Sequence, residues 1–401
     1  MSDSLINKGD IAQHAAAESI DRSAYLPATP WLQLMLVCCL FALWGMAGNL
    51  NDILIAQFKK GFDLSDTQTA LVQSIFFLGY FVMALPAAAV IKRYSYKVAI
   101  VIGLCLYALG CFLFIPAAQI MTYGAFLACL GVIATGLSFL ETSANTYSSL
   151  LGPLETSTQR INFSQIFNSL GIIFGVLIGQ QLVFGKNDPS HAELLQMPPA
   201  VAEAARTQMV SQVVTPYLII GSVLIVLALI FVAVKFPACK TQRSHQGAGK
   251  PLMQSLKILL ALPRFRLGVL SQFLYVGAQV GLWSFTIRFV QMIEQGATEH
   301  SATYWLLATL VCYSAGKVVT TALMKKFSPA RLLGVFCSVC VLLLLLAVNI
   351  QSLLAVVAIM GVNFCMALCW PTNFGLTIKG LGEETQVAGS IIVMSDRRAH
   401  V

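Results

Sequence analysis

The chain has 401 residues, of which 57% are hydrophobic and only 10% carry a charge. An ordinary soluble domain has about 25% charged residues, so this composition excludes a protein that covers its surface with polar side chains. The net charge of +8 does not indicate nucleic-acid binding, because the basic residues are spread over alternate short loops and form no single stripe.

Apolar runs of about 20 residues, the length that crosses roughly 30 Å of hydrocarbon, follow a polar segment at residues 1–30. That segment lacks the features of a cleaved signal sequence, so we expect no cleaved leader. Six spanning helices are predicted first, at residues 31–58, 69–91, 98–118, 123–151, 161–184 and 213–236. Four more are predicted after a polar, basic stretch, at residues 266–293, 301–324, 332–350 and 353–381. A last apolar run begins at Val387 and gives way after Met394 to a charged tail, which leaves it too short to span.

Basic residues mark the loops after the second, sixth and eighth predicted spans, for example Lys92 and Arg93 after the second. Such loops lie on the cytoplasmic side, which predicts that the tail at residues 1–30 is cytoplasmic as well. Six helices, a basic linker and a second helical set are typical of transporters with two parallel six-helix halves. We therefore predict an all-α membrane protein with an N-terminal half at residues 31–236, a cytoplasmic linker at 237–264 and a C-terminal half at 265–401. The second half is shorter by about two helices, so the expected architecture is ten full spans plus a truncated eleventh.

Two carboxylates lie within predicted spans, Asp52 in the first and Glu141 in the fourth. An ionised carboxylate inside a membrane is costly unless it is paired, neutralised or hydrated, so each requires an explanation. Asn49 lies three positions before Asp52, and Asn145 lies four positions after Glu141, so each carboxylate shares a helix face with an amide. This pattern favours a polar site. The alternatives are that Asp52 lies near the outer interface and that Glu141 is a buried structural partner.

The fifth predicted span carries three amides at spacings of three, Asn162, Gln165 and Asn168. They share one face of an otherwise apolar helix, and we expect that this face does not contact lipid. Glycines at spacings of four follow, beginning at Gly171, and they predict close packing against a neighbouring helix.

The seventh predicted span has a face that mixes amides with aromatic rings, at Gln272, Tyr275, Gln279 and Trp283. Amides can hydrogen-bond pairs of hydroxyls and an aromatic ring can cover the C–H face of a pyranose, so this face suits an uncharged sugar. Ordinary helix packing remains the alternative for each aromatic residue. Proline interrupts the tenth predicted span at residues 370–373, and a broken helix next to a cavity often lines it.

Two cationic residues lie within the predicted spans of the second half. Lys317 is expected to extend to the membrane interface, whereas both an interfacial and an interior position stay open for Arg288. Cys337 and Cys340 form a C-x-x-C pair within an apolar run, without a partner motif, so we expect them to pack rather than to bind metal or to be redox-active.

The chain contains no nucleotide-binding loop of the G-x-x-x-x-G-K-[ST] type. The energy for transport must therefore come from an ion gradient or from the solute itself. A carboxyl group inside a membrane can alternate between neutral and ionised forms, so the acidic residues favour coupling to protons.

Five segments together resemble the fucose permease family of the major facilitator superfamily: Asn-Leu-Asn-Asp-Ile-Leu at 49–54, Leu-Glu-Thr-Ser-Ala-Asn at 140–145, Gln-Ile-Phe-Asn-Ser at 165–169, Tyr-Val-Gly-Ala-Gln at 275–279 and Pro-Thr-Asn-Phe at 371–374. The resemblance runs from about residue 34 to residue 394. It implies that Asp52 and Glu141 act in sugar recognition and proton coupling and that Gln165 matches a family glutamine. Trp370 stands where the family has a tyrosine, and Gly48 replaces a family asparagine.

The hypothesis is a secondary active sugar importer of the bacterial inner membrane, a multi-pass protein that takes up L-fucose or a related hexose with a proton. It is not expected to be an enzyme, to hold a cofactor or metal, or to bind nucleic acid, and we expect a monomer in the bilayer. Alternatives are a symporter of galactose, glucose or N-acetylglucosamine, a drug:proton antiporter, a passive sugar facilitator and an inactive truncated product. Asp52 and Glu141 are the predicted proton-coupling residues. The predicted substrate contacts are Asn49, Asn145, Gln165, Asn168, Gln279, Trp283, Trp370 and Asn373.

Overall fold

The computed structural model describes residues 22–182, 193, 196–239, 252–294, 299–350 and 352–398. The described residues fold into α-helices joined by short connections. The N-terminal set of helices is α1 (Trp31–Gly61), α2 (Asp66–Arg93), α3 (Tyr96–Phe112), α4 (Phe114–Ile120), α5 (Tyr123–Leu150), α6 (Ser157–Leu182), α7 (Pro199–Gln212) and α8 (Val214–Ala233). A short helix, α9 (Leu252–Ala261), lies within the predicted linker. The C-terminal set is α10 (Pro263–Ile293), α11 (Glu299–Leu323), α12 (Pro329–Asn349), α13 (Leu353–Met366), α14 (Cys369–Ile378) and α15 (Thr385–Arg398).

Within these ranges, nine helical stretches are long and apolar enough to cross a membrane. Each of the ten predicted spans coincides with a helix or a pair of consecutive helices, but α6 is not among the nine. The last predicted apolar run is helical, and its helix continues beyond Met394 to Arg398.

Serine side chains cap the first turns of α2 and α3. The hydroxyl of Ser65 accepts a hydrogen bond from the backbone N–H of Gln68, and the Gln68 side chain accepts one from the N–H of Ser65 in return. Ser95 accepts from the N–H of Val98 at 3.2 Å at the start of α3. These caps satisfy N–H groups that have no partner within the helix, so they fix where each helix begins.

The tenth predicted span is interrupted, as the sequence indicates, but the break lies before the proline. Helix α13 ends at Met366 and α14 begins at Cys369, so Pro371 is the third residue of the second helix. Proline is tolerated in the first turn of a helix because the N–H that it lacks would have no partner there. The chain therefore breaks at Ala367 and Leu368 and places Pro371 inside the next first turn.

Close helix packing in the N-terminal set depends on small residues. Helix α1 packs along α6, α5 lies between α2 and α3, and α8 packs on α3. Gly171 of α6 faces α1, where a β-carbon would lie 1.9 Å from the backbone oxygen of Ala42. Gly45 of α1 faces α6 in the same way, against the backbone of Asn168. The prediction that Gly171 serves close packing is thus confirmed.

The two sets meet along α6 and α15. Helix α6 packs on α14 and α11, while α15 packs on α2 and α5 as well as on α10. Val387, Ala388 and Ile392 of α15 are fully buried. The side chain of Gln159 on α6 donates to the backbone oxygen of Thr321 on α11 at 3.3 Å. Polar contacts thus join the sets as well as apolar ones.

Candidate functional site

The buried carboxylate of the site is Glu141 on α5. This residue is 1% exposed, and it lies well inside a helix that spans residues 123–150. Asp52 lies on α1, and so does Asn49, but the side chains of both fall outside the described part of the structure. Their predicted roles therefore stay predictions.

A chain of hydrogen bonds leads from Glu141 to α6. The side-chain amide of Asn145 donates to the backbone oxygen of Glu141 at 3.0 Å. The side-chain oxygen of Asn145 accepts from the amide of Gln165 at 3.2 Å. The structure thus brings together three of the predicted site residues, and the i, i+4 spacing of Glu141 and Asn145 is what places them on one face.

The other two amides of the α6 stripe point to different neighbours. Asn162 donates to the hydroxyl of Thr372 on α14 at 3.2 Å. Asn168 donates to the backbone oxygen of Phe41 on α1 at 3.4 Å. All three amides are buried, as predicted for a face that avoids lipid. Only Gln165 contacts the group around Glu141, while Asn168 lies at the crossing of α1 and α6.

The predicted mixed face of α10 is turned towards α13 and α14. The indole N–H of Trp283 donates to the side-chain oxygen of Asn363 at 2.6 Å, and the hydroxyl of Tyr275 donates to the backbone oxygen of Met366 at 3.1 Å. Gln279 is 8% exposed. Within the described ranges its amide makes no hydrogen bond, so it keeps both donor and acceptor for a solute.

Helix α14 contributes Trp370 and Asn373, which have different surroundings. The ring of Trp370 lies 6.4 Å from that of Trp44 on α1 and stacks on Phe374 at 5.3 Å. Asn373 donates to the side-chain oxygen of Gln272 on α10 at 2.8 Å. Trp370 thus lies where the two sets of helices meet, whereas Asn373 joins α14 to α10.

The expectation that Lys317 reaches the membrane interface is wrong. Its side chain is 3% exposed, and its ammonium group donates to the backbone oxygen of Gln165 at 3.3 Å. The ammonium nitrogen also lies 4.8 Å from the centre of the Tyr313 ring. Arg288 lies on an exposed face of α10, with its guanidinium group 5.8 Å from the Phe285 ring. The interior cation of α11 is therefore part of the polar group between the sets.

Three contributors to this region were missed by the sequence analysis: Asn363, Tyr313 and Trp44. The ring of Tyr313 meets that of Trp283 edge to face at 5.4 Å and so connects Trp283 to Lys317. The sequence held a signal for Asn363, which is an amide within an apolar span. Nothing in the spacing of the aromatic residues distinguishes Tyr313 and Trp44 from ordinary packing residues.

The cysteines of the described residues are free, and the C-x-x-C pair has neighbours that the sequence did not indicate. The sulfur of Cys337 lies 3.9 Å from that of Cys369 on α14. Among the residues that the structure describes, no group of three or more His, Cys, Asp or Glu side chains is placed to hold a metal ion.

Membrane-length helices in two sets, with buried polar side chains where the sets meet, form the architecture of a secondary transporter. The fold and the site therefore define a multi-pass membrane transporter. The polar region in its interior contains a carboxylate, amides, aromatic rings and a lysine. This region lies where helices from both sets meet.

Comparison with known proteins identifies the family. The sequence pattern of the Major Facilitator Superfamily matches residues 27–396. The L-fucose-proton symporter of Escherichia coli strain K12 is 37% identical over 384 residues, which are 96% of this chain and 88% of that protein. The glucose/galactose transporter of Brucella abortus biovar 1 is 32% identical over 365 residues, 89% of this chain and 82% of the other. The chain belongs to the Major Facilitator Superfamily, a family of transporters and not of enzymes.

A solved structure of a Major Facilitator Superfamily transporter, FucP, in the outward conformation has the same fold. The TM-score is 0.83 at 39% sequence identity, and the match covers 90% of this chain and 88% of the other. The all-α architecture predicted from the sequence is confirmed at this level.

Proposed function

We propose that this chain imports a sugar together with a proton and that the sugar is L-fucose or a related hexose. The proposal is supported by the similarity to the L-fucose-proton symporters of Escherichia coli and Haemophilus influenzae, which are 37% and 32% identical. It is also supported by the chemistry of the interior, where amides and aromatic rings suit hydroxyl groups and the C–H face of a sugar ring.

The observation that carries proton coupling is the burial of Glu141 inside a spanning helix, next to Asn145 and Gln165. A carboxyl group in such surroundings can be neutral in one conformation and ionised in another. Proton binding to Glu141, and to Asp52 on α1, would thus alternate as the site opens to either side of the membrane. The sugar hydroxyls would take over amide hydrogen bonds that now join side chains to one another.

The proposed substrate contacts divide between the two sets of helices. In the N-terminal set, Asn145 and Gln165 would bind hydroxyls directly; Asn49 and Asn168 are proposed contacts as well. In the C-terminal set, Gln279 supports the proposal because its amide is available to a solute. The remaining proposed contacts are Trp283, Trp370 and Asn373, of which the two indoles would cover the apolar face of the sugar.

The test replaces Glu141 with glutamine, which keeps the shape and removes the titratable group. In proteoliposomes with an imposed proton gradient, we expect Glu141→Gln to lose uphill sugar accumulation but to keep sugar counterflow. The matched control is Glu155→Gln, because the Glu155 side chain is exposed, at 62%, beside Arg22. Uphill accumulation by Glu141→Gln would contradict the proposal, and wild-type uptake that ignores a collapsed gradient would indicate a passive facilitator.

A second candidate substrate class is glucose or galactose, which is favoured by the 32% identity to the Brucella abortus transporter. Counterflow with a panel of labelled hexoses and deoxyhexoses separates the two. Exchange of L-fucose in preference to glucose and galactose would support the main proposal, and the reverse order would support the second candidate.

We further propose the membrane arrangement. Residues 31–236 would form an N-terminal half with six spans, of which α6 is the fifth, and residues 265–401 a C-terminal half with four more. Helix α15, with 14 residues, is about 21 Å long and would enter the bilayer as an incomplete eleventh span. The tail at residues 1–30 and the linker at 237–264 would be cytoplasmic, in a monomer within the bacterial inner membrane.

A further inference from the structure

Lys317 is a buried cation that the proposed transport mechanism does not use. It lies 13 positions after the start of the membrane span Tyr304–Leu323 and six before its end. A lysine at this depth could reach the interface with its flexible side chain. Instead the side chain is turned inwards and is 3% exposed. An inward-facing charge within a membrane span calls for a functional explanation.

The ammonium group of Lys317 contacts α6 at one particular residue. It donates to the backbone oxygen of Gln165 at 3.3 Å, and it lies over the ring of Tyr313. Behind it, the hydroxyls of Thr320 and Thr321 donate to the backbone oxygen of Lys317 at 3.3 and 2.6 Å. Hydrogen bonds from a charged donor are about twice as strong as those between neutral groups, so this contact outweighs a neutral one of equal length.

The residue that Lys317 contacts is the one whose side chain bonds Asn145, one helical turn from Glu141. The Gln165 amide donates to Asn145, and Asn145 in turn donates to the backbone of Glu141. The direction of the Gln165 side chain depends on where the α6 backbone lies at this position. A bond that holds the Gln165 backbone oxygen therefore also controls where its amide is aimed.

We propose that Lys317 is a positioning residue, which holds α6 against α11 at Gln165 and thereby aims the Gln165 amide at the sugar site. It acts through Gln165 and does not itself contact the sugar. Helices α6 and α11 belong to different sets of helices. The same bond therefore also stabilises the conformation in which these two helices are in contact. The part of the inference that concerns sugar binding rests on the proposed function. The connection between α6 and α11 does not depend on the proposed function.

The variant that tests this is Lys317→Met, which keeps the length of the side chain and removes its charge and donors. We expect the dissociation constant for the transported sugar to rise about tenfold, as is typical for loss of a charge-assisted hydrogen bond, and Lys317→Arg to restore most of it. Lys326→Met is the matched control, because Lys326 is exposed shortly after the same helix ends. Binding is measured by isothermal titration of the purified full-length protein with the hexose panel.

A double-mutant cycle separates positioning from a general structural role. In a Gln165→Ala background the Gln165 amide is gone, so Lys317→Met is expected to weaken binding by less than twofold further. A tenfold effect in both backgrounds would overturn the proposal, since Lys317 would then act without Gln165. So would a dissociation constant within twofold of wild type for Lys317→Met alone.

A second measurement does not depend on any sugar. Hydrogen exchange of the α6 peptide that contains Gln165 should be at least tenfold faster in Lys317→Met than in wild type and near wild type in Lys317→Arg. Equal exchange in Lys317→Met and wild type would refute the connection between α6 and α11. If wild type binds none of the sugars, the proposed substrate class fails, and the exchange result still decides whether Lys317 connects α6 to α11.

Discussion

Replacement of Gly171 by alanine is expected to force α1 and α6 apart. The added β-carbon would lie 1.9 Å from the backbone oxygen of Ala42, and 2.7 and 2.8 Å from its carbonyl carbon and α-carbon. Ordinary carbon–oxygen contacts begin at about 3.3 Å, so the two backbones must separate by roughly 1.4 Å. Neither backbone can turn aside as a flexible side chain could. Overpacking of this kind costs about 1–3 kcal/mol, and the separation would also lengthen the 3.4 Å hydrogen bond from Asn168 to Phe41.

The assay for Gly171→Ala is thermal unfolding of the detergent-solubilised protein, followed with a dye that fluoresces on reaction with thiols. Buried cysteines such as Cys38 and Cys111 report the transition, because they become accessible on unfolding. We expect Tm to fall by about 5 °C. The control is Gly281→Ala on α10, where a β-carbon would meet no atom within 4 Å, and whose Tm should stay level or rise. Equal Tm values for the two variants would refute the packing argument.

Two further predictions concern the C-terminal set. Trp283→Phe should lower the free energy of unfolding by about 1–3 kcal/mol, because it leaves the buried side-chain oxygen of Asn363 without its 2.6 Å donor. Chemical denaturation checks this against Trp31→Phe, an exposed tryptophan whose replacement should change little. Diamide, which takes up two electrons and two protons from a pair of thiols, should join Cys337 to Cys369, because their sulfurs need to approach only from 3.9 Å to about 2.05 Å. Peptide mapping without reductant should show that cross-link, and its persistence in Cys369→Ser would contradict the geometry.

The positions of the spanning helices were predictable because the thickness of a membrane fixes their length. The ten apolar runs coincide with helices or pairs of helices for this reason. Helices α7 and α9 were not predicted, since they are short and lie in stretches that read as polar connections. The break in the tenth span was predicted from Pro371, but its position was not, because proline at the third position of a helix leaves the helix intact.

The sequence predicted which helix faces carry the residues of the candidate site, but not which neighbouring helices those residues contact. Helical periodicity shows that Asn162, Gln165 and Asn168 share a buried side of α6. It carries no information about which helix lies opposite, and the three amides contact three different helices. The same limit explains the error at Lys317, because a flexible side chain can point outwards or inwards and only the neighbouring helix decides.

The polar contacts between α6 and the C-terminal set have an energetic consequence for a machine with two states. Three of them are the bond from Gln159 to Thr321, the pair of Asn162 and Thr372, and the bond from Lys317 to Gln165. At about 1 kcal/mol net each, they favour one conformation by roughly 3 kcal/mol, or about a hundredfold in population. A solute that binds the opposite conformation a hundredfold more tightly is therefore enough to make the two conformations equally populated. The free energy of solute binding alone supplies this shift.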